Sequence, residues 1–280
     1  MTGTHRTLFF KSLEPDMLET YSTLLLTKPA KYVLQVILNR PEAANAFNTE
    51  MARELYQLFE ALALDAEGAR CIVLTGSGGR AFCAGGDLKE RNGMTDEAWA
   101  KQHLVYERMV RAILDCPVPI VGAINGAAYG GGCELTAAAD FVYAAEHAKF
   151  ALTETSLGII PGAAGTQTLA RAMGERRAKE LILSARPFTA AEAYNWGLVN
   201  EVYSAKALLP AALATAERIA SNAPIAVRQA KQSIHRGLQM SLRDGMAFEI
   251  EAYNRTIPTQ DRREGVLAFN EKRKPDFKGC

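Results

Sequence analysis

Alternating strand and helix patterns predict an α/β fold for this chain of 280 residues. Short apolar runs of the kind that lie buried in a sheet recur at residues 71–75, 120–124 and 141–145. Segments with helical spacing of apolar residues separate them, and the last 75 or so residues are helical in pattern throughout. Because strands joined through helices pair in parallel, the sequence predicts a parallel sheet followed by a C-terminal helical region.

The chain begins with a polar stretch without periodicity at residues 1–21, which we expect to be a loosely held N-terminal arm. Two β-rich runs follow at 23–27 and 32–38, on either side of the residues KPAK. Proline favours turns, so this pair of runs predicts a hairpin whose turn contains Pro29.

Amphipathic helices are predicted on either side of the first buried strand. Asn48 is a good N-cap, and apolar residues follow it at helical spacing as far as Leu62. A second helical pattern runs from Trp99 to Leu114. After a group of glycines, a third helix is predicted over residues 131–139.

Strand signals become sparse in the second half of the chain. Pro224 is placed to open one helix, Gly237 interrupts the pattern, and a further helix is predicted over residues 240–256. We therefore divide the chain after its arm into a core at 22–205 and a helical region at 206–280.

The composition is that of a globular protein, with 48% hydrophobic and 22% charged residues. The formal net charge is +1 and no segment is a block of basic residues, which disfavours nucleic acid as a partner. No apolar stretch reaches the roughly 18 residues that span a bilayer, so no membrane association is predicted. The five cysteines are odd in number and lack C-x-x-C spacing, which predicts reduced thiols and a cytoplasmic location.

Several catalytic templates are absent from the sequence. The four histidines show no metal-ligand spacing, and there is no G-x-S-x-G nucleophile motif, no P-loop and no dinucleotide fingerprint. We interpret each histidine as a surface residue or a core residue with its hydrogen bonds satisfied.

Two glycine-bearing segments follow predicted strands. AFCAGGDL lies at 81–88, and GAAYGGGCE lies at 126–134, where it opens a helix. Small residues let a backbone approach a ligand, and N–H groups at a helix N-terminus add a positive partial charge. Two such donors that converged on one oxygen would form an oxyanion hole. Each segment alone is equally consistent with a tight turn and close helix packing.

Two carboxylates lie close to these segments in the sequence. Glu134 falls in the first turn of the helix after the glycines, where the helix dipole also favours a purely structural acid. Glu154 lies in a largely apolar stretch, where burial would raise its pKa as a general acid requires. That the two act together as acid and base is a hypothesis, because nothing in their spacing brings them together.

These segments belong to five motifs that occur in a fixed order. They are NRP at 39–41, AANA at 43–46, AFCAGGDLKE at 81–90, AINGAAYGGGCEL at 123–135 and ETSLGIIPGAAGTQ at 154–167. Together they closely resemble the enoyl-CoA hydratase/isomerase (crotonase) family over roughly residues 22–280. The resemblance implies a right-handed spiral of ββα turns, with C-terminal helices that build trimers, commonly paired as hexamers. It also implies acyl-coenzyme A as the substrate, without a metal ion or a separate cofactor.

The resemblance also assigns residues to the site. The N–H groups of Ala84 and Gly131 would hold the thioester oxygen, and Gly162 matches a position that helps to place the attacking water. Tyr129 stands where many members have leucine and is expected to narrow the acyl pocket or add a hydroxyl to it. Residues expected to contact the acyl-CoA are Ala43, Ala44, Ala46, Ala81, Ala84, Gly85, Gly86, Asp87, Leu88, Tyr129 and Pro161.

Glu134 and Glu154 match the two acid positions of the family, and a pair of glutamates there resembles the hydratases. The implied reaction is reversible addition of water across the 2,3 double bond of a 2-enoyl-CoA, which gives a 3-hydroxyacyl-CoA. By similarity, Glu134 would position or activate the water and Glu154 would be the main acid/base. The alternative within the family is an enoyl-CoA isomerase or an enzyme of another acyl-CoA reaction.

A closer resemblance is to the methylglutaconyl-CoA hydratase branch. It rests on DLKER at 87–91, AKELILSAR at 178–186 and TIPTQDR at 256–262. Animal members of that branch also bind AU-rich RNA through lysines on the first long helix. The matching helix at 48–64 contains no lysine and only Arg53 as a base, so a non-catalytic RNA-binding function is disfavoured.

Overall fold

A large sheet of six strands forms the centre of the molecule. The computed structural model describes residues 21–66 and 68–280, so the predicted arm lies almost entirely outside the described residues. In spatial order the strands are β1 (Leu24–Ala30), β2 (Val33–Leu38), β3 (Cys71–Gly76), β5 (Ile120–Ile124), β7 (Phe141–Ala145) and β10 (Glu201–Tyr203). Only β1 and β2 pair antiparallel, and the other neighbours are parallel as predicted.

A second, smaller sheet lies beside the first and was not predicted from the sequence. Its strands are, in spatial order, β4 (Ala81–Cys83), β6 (Ala127–Tyr129), β8 (Lys149–Ala151) and β9 (Phe188–Thr189). The first three are parallel and β9 is antiparallel to β8. Strands of two or three residues are too short to show an alternating pattern, which explains the omission.

Eleven helices connect and cover these sheets within the described residues. They are α1 (Thr49–Leu64), α2 (Leu88–Arg91), α3 (Asp96–Asp115), α4 (Gly131–Ala138), α5 (Gly165–Met173), α6 (Glu175–Ser184), α7 (Ala190–Asn195), α8 (Ala205–Ala220), α9 (Pro224–Gly237), α10 (Leu242–Asn254) and α11 (Gln260–Asn270). None of them is long and apolar enough to cross a membrane.

The chain repeats one order of elements. From β3 it passes to β4 and then to helices, from β5 to β6 and α4, and from β7 to β8 and further helices. Each turn therefore adds one strand to the large sheet and one to the small sheet before a helix returns the chain. This is the spiral of ββα turns that was expected.

The first hairpin forms, but its turn was placed two residues too early. Pro29 lies inside β1, and the turn is made at Lys31 and Tyr32, the latter with a φ of 63°. β1 is an edge strand, and its register with β2 is irregular between Thr27 and Ala30. An edge strand at an irregular register tolerates a residue without an N–H, so Pro29 does not end the strand.

The cap predicted for the first helix is confirmed. The Asn48 side chain accepts a hydrogen bond of 3.0 Å from the Met51 N–H, and α1 starts at the next residue, Thr49. The apolar face that follows is buried, with Leu55 and Phe59 fully enclosed. Local spacing thus sets both the start of α1 and its orientation toward the sheet.

Two apolar layers cover the two faces of the large sheet. Along β3, Ile72 and Leu74 belong to the larger core, whereas Cys71 and Val73 face a second cluster. This alternation follows from the two-residue period of a strand. Helix α8 closes the second face.

The contact of α8 with the sheet corrects the predicted division of the chain. Every fourth residue of α8 is buried against the sheet, and the set consists of Leu208, Ala212, Ala216 and Ala220. Small side chains at that spacing let the helix axis approach the strands closely. The helical region does begin near residue 205, but α8 is part of the core, and only α9, α10 and α11 lie outside it.

Candidate active site

The loops that follow β4 and β6 border a cavity of about 450 Å³. All five residues predicted to be catalytic line it, namely Ala84, Gly131, Glu134, Glu154 and Gly162. Gly85, Gly86 and Leu88, which were predicted to contact the substrate, line it as well. The fold thus brings together residues that are separated by up to 78 positions in the chain, which spacing alone could not establish.

Glu134 projects from the first turn of α4 and is 3% exposed. Its Oε1 accepts two hydrogen bonds of 2.8 Å from the backbone N–H groups of Ala163 and Gly165. Burial, together with the charge of Glu154, raises the pKa of Glu134 to about 7, against the opposing effects of these two hydrogen bonds and of the Arg91 charge. A carboxyl with this pKa exchanges a proton readily near neutral pH.

Glu154 begins a short 3-10 helix (Glu154–Leu157) after β8 and is 9% exposed. Burial raises the pKa of this carboxyl as well. Its Oε2 is buried and has no hydrogen-bond partner among the described residues. Since a buried polar atom without a partner is costly, this oxygen is suited to interact with a bound substrate.

The two predicted oxyanion donors differ in their present partners. The Gly131 N–H is at the first position of α4, where the helix itself supplies no acceptor. The Ala84 N–H, in contrast, donates to the Ala44 carbonyl at 3.1 Å. A thioester oxygen would therefore have to share the Ala84 N–H with that carbonyl or replace it.

The glycines at this site are required because other atoms come very close to them. A Cβ added to Gly131 would lie 2.2 Å from the Phe47 ring, and one added to Gly132 would lie 2.0 Å from the Cys83 carbonyl oxygen. A Cβ on Gly165 would lie 2.8 Å from the Glu134 side chain. The glycine pattern thus reflects close packing as well as ligand approach, so both interpretations of these segments apply.

Several residues predicted to contact the acyl-CoA do not line this cavity. They are Ala43, Ala44, Ala46, Ala81, Asp87, Tyr129 and Pro161. Asp87 instead caps α2 and forms a 3.0 Å ion pair with Arg40. Tyr129 lies in β6 and is not among the lining residues, so its narrowing of the acyl pocket or addition of a hydroxyl stays a prediction. The assignment of the others to coenzyme A stays a prediction.

Part of the cavity wall was not predicted from the sequence. Arg91 at the end of α2 and three residues of α3, Trp99, His103 and Tyr106, line it together with Phe47. His103 is partly buried and packs against Gly162, where a Cβ would lie 2.2 Å from its ring. Its position on the cavity was not predicted, and its interpretation as a residue without a catalytic role stays a prediction. The helical spacing of residues 99, 103 and 106 placed them on one face, but only the fold shows that this face borders the site.

Ala164 in the loop that holds Glu134 adopts a left-handed conformation with a φ of 72°. It directly precedes α5, and a residue other than glycine adopts this conformation there at some conformational cost. No group of three or more His, Cys, Asp or Glu side chains in the described part of the chain could hold a metal ion.

Comparison with known proteins finds similar sequences and a similar fold. The family model described as enoyl-CoA hydratase/isomerase matches residues 29–280. The chain is 38% identical to the short-chain-enoyl-CoA hydratase of Clostridium acetobutylicum, over 90% of this chain and 96% of that protein. It is 37% identical to the 2,3-dehydroadipyl-CoA hydratase of Escherichia coli, over 91% of this chain and 98% of that protein. The crystal structure of an enoyl-CoA hydratase from Bacillus anthracis superposes with a TM-score of 0.90 at 44% identity, covering 92% and 100% of the two chains.

Proposed function

The chain belongs to the enoyl-CoA hydratase/isomerase family, and on that premise we propose that it adds water reversibly to 2-enoyl-CoA thioesters. The products of this reaction are 3-hydroxyacyl-CoA thioesters. The relatives named above act on acyl groups of different kinds, so family membership supports the class of reaction more than the identity of the acyl chain.

The observation that carries this proposal is the pair of buried glutamates on one cavity. Burial raises the pKa of both Glu134 and Glu154, and Glu134 reaches about 7. Two carboxyls with raised pKa values can hold a proton or accept one at neutral pH, which addition of water requires at two adjacent carbons.

The chemistry follows from these positions. One carboxylate takes a proton from water while the water oxygen forms a bond to C3 of the enoyl group. The electron pair of the double bond moves onto the thioester oxygen, where the N–H groups of Gly131 and Ala84 stabilise the enolate. The other carboxyl then delivers a proton to C2 as the thioester carbonyl re-forms. Glu134 acts on the water and Glu154 is the main acid/base.

The Ala84 N–H already donates to the Ala44 carbonyl. When the thioester binds, its oxygen must therefore share this donor with that carbonyl or replace it. Gly131 has the more direct role, since its N–H faces no competing acceptor within α4. One donor removed from an oxyanion hole costs roughly a hundred- to a thousandfold in turnover, so the two together account for much of the catalysis.

The experiment follows the loss of enoyl-thioester absorbance with crotonyl-CoA as the substrate. We expect turnover by the wild-type protein, and a decrease in kcat of about a hundred- to ten-thousandfold in Glu134→Gln and in Glu154→Gln. Glu146→Gln changes an exposed glutamate of the same chain and serves as the matched control. Full activity in both glutamine variants of the cavity would refute the two-carboxylate mechanism.

The isomerase alternative differs in the fate of water. A hydratase incorporates ¹⁸O from labelled solvent into its product, whereas an isomerase moves the double bond and incorporates none. A product free of label would replace the hydratase proposal by the isomerase.

The C-terminal helices support self-association as part of the proposal. Large apolar side chains of α9, α10 and α11, and of the residue that follows α9, are exposed. The set includes Ile234, Leu238, Leu242, Met246, Ile250, Tyr253, Val266, Leu267 and Phe269. Exposed apolar patches of this kind mark interfaces. The protein acts as a homotrimer or a hexamer built of two trimers. Its four buried, free cysteines suit the reducing conditions of the cytoplasm.

A further inference from the structure

One guanidinium group lines the same cavity as the two glutamates. Arg91 is the last residue of α2 and is partly buried. Much of the surrounding wall is apolar or aromatic, with Leu157, Ile159 and Ile160 on one side and Trp99 and Tyr106 beside the arginine. A permanent positive charge in such a wall is unusual, since burying a charge without a partner is unfavourable.

The guanidinium is held in a defined position. Its carbon lies 4.2 Å from the centre of the Trp99 ring and 5.0 Å from that of Tyr106, which are favourable cation–π distances. Its Nε donates to Gln102 Oε1 at 2.8 Å, and Gln102 is itself fixed by Thr49 and Glu90. These contacts use the two ring faces and Nε, and they leave the two terminal NH₂ groups for another acceptor.

The neighbouring carboxylates are engaged elsewhere. Glu90 accepts hydrogen bonds from the Thr49 N–H and from Gln102, and Asp87 pairs with Arg40. Among residues 21–66 and 68–280, no carboxylate lies within the 4.0 Å of an ion pair with Arg91. No carboxylate of the described residues therefore forms an ion pair with this cation, although its charge lowers the pKa of Glu134, which lines the same cavity.

A carboxylate on the substrate would supply the missing anion. A planar guanidinium binds a carboxylate through two parallel N–H···O bonds, and an apolar wall strengthens that pairing. An acyl chain that ends in a methyl group would instead cover the charge without compensating it. We propose that Arg91 selects 2-enoyl-CoA thioesters whose acyl chain ends in a carboxylate. This inference rests on the proposed hydratase function and specifies its substrate class.

The test compares two substrates that have acyl chains of five carbons and differ at the far end. Glutaconyl-CoA carries a terminal carboxylate and 2-pentenoyl-CoA carries a methyl group. We expect the wild-type protein to favour glutaconyl-CoA in kcat/KM, and Arg91→Met to lower the ratio of the two kcat/KM values by about 10- to 100-fold. The ratio is the proper readout because any effect of Arg91 on Glu134 acts on both substrates and cancels.

Two further variants sharpen the result. Arg91→Lys keeps the charge and loses the planar fork, so its ratio falls between those of the wild type and Arg91→Met. Arg108→Met removes an exposed arginine of α3 and is the matched control, whose ratio we expect to equal that of the wild type.

If Arg91→Met does not fold, inhibition of the wild-type protein by saturated acyl-CoA thioesters still tests the inference. Glutaryl-CoA should inhibit it at a concentration at least tenfold lower than pentanoyl-CoA.

The outcomes separate the two proposals. Hydration of both substrates with a ratio near one in the wild type, or a ratio that Arg91→Met leaves unchanged, overturns the inference about Arg91 and leaves the hydratase function intact. Hydration of neither substrate, nor of crotonyl-CoA, overturns the proposed function and the inference with it.

Discussion

Charged groups of a folded protein are ordinarily exposed and large apolar side chains are ordinarily buried. The cavity and the C-terminal helices depart from this pattern in opposite ways. At the cavity, two carboxyl groups are enclosed, with Glu134 only 3% exposed. On the C-terminal helices, large apolar side chains face outward, with Leu242 and Phe269 each 82% exposed. The buried acids fit the proposed chemistry, in which one carboxyl accepts a proton and the other donates one near neutral pH. The exposed apolar side chains fit the proposed interface with other copies of the chain. In both regions the unusual burial supports the proposed function.

We expect the largest effect from a charge placed in the exposed apolar surface of the C-terminal helices. Leu242→Glu introduces a charge into the proposed interface, and we expect the molar mass measured by light scattering to fall from that of three or six chains to that of one. Leu64→Glu is the matched control, because Leu64 is 76% exposed but lies at the end of α1. A wild-type protein with the mass of a single chain would show that the exposed apolar face of the C-terminal helices is not an interface.

The next effect concerns the buried acid. The pKa of Glu134 is about 7 in the folded protein against an ordinary value of 4.5, so the folded state binds the proton more tightly than the unfolded state. The contribution of this group to stability is therefore greatest below pH 4.5 and is lost as the pH rises through 7. Between pH 5 and pH 8 we expect the free energy of unfolding of the wild type to fall by about 2 to 3 kcal/mol relative to Glu134→Gln.

Urea unfolding of both proteins at the two pH values measures this difference. The subtraction removes the contributions of all other titrating groups that the two proteins share. Parallel pH dependence in the two proteins would mean that Glu134 ionises as an exposed carboxyl does. Burial in the cavity would then not raise its pKa.

The smallest effect concerns the packing around the acids. Gly132→Ala would place a Cβ 2.0 Å from the Cys83 carbonyl oxygen, so the small gain in helix propensity is outweighed and we expect a loss of about 1 to 3 kcal/mol in unfolding free energy. Gly79→Ala is the control, since a Cβ there meets no atom within 4 Å. Equal stability of the two variants in thermal unfolding would contradict the close packing described here.

The parts of this fold that were predicted are those with a local cause. The Asn48 cap, the buried strands at β3 and β5 and the Pro224 start of α9 each depend on residues within one or two turns of the chain. Pro29 misled the placement of the first turn because its tolerance depends on β1 being at an edge, which is a property of the whole sheet.

The residues of the site also divide into those with a local signal in the sequence and those whose role depends on the whole fold. Glu134 and Glu154 were candidates from their sequence surroundings and from the resemblance, but their shared cavity depends on β4, β6 and β8 pairing side by side. Arg91 and His103 carried no signal of their own, because an arginine or a histidine on an amphipathic helix is ordinary until its neighbours are known. Tertiary contacts decide which of many ordinary polar residues face a ligand.

The spiral order of the strands has a consequence for how the protein folds. Val33 pairs with Cys71 and Ile72 with Ile120, so several tens of residues separate partners in the large sheet. The entropy of closing such loops is lost before the parallel contacts repay it, which slows folding. Only the β1–β2 hairpin joins near neighbours, so we expect it to form early and the cavity to become complete late. Newly made chains would then carry their exposed apolar helices for some time before the catalytic centre exists.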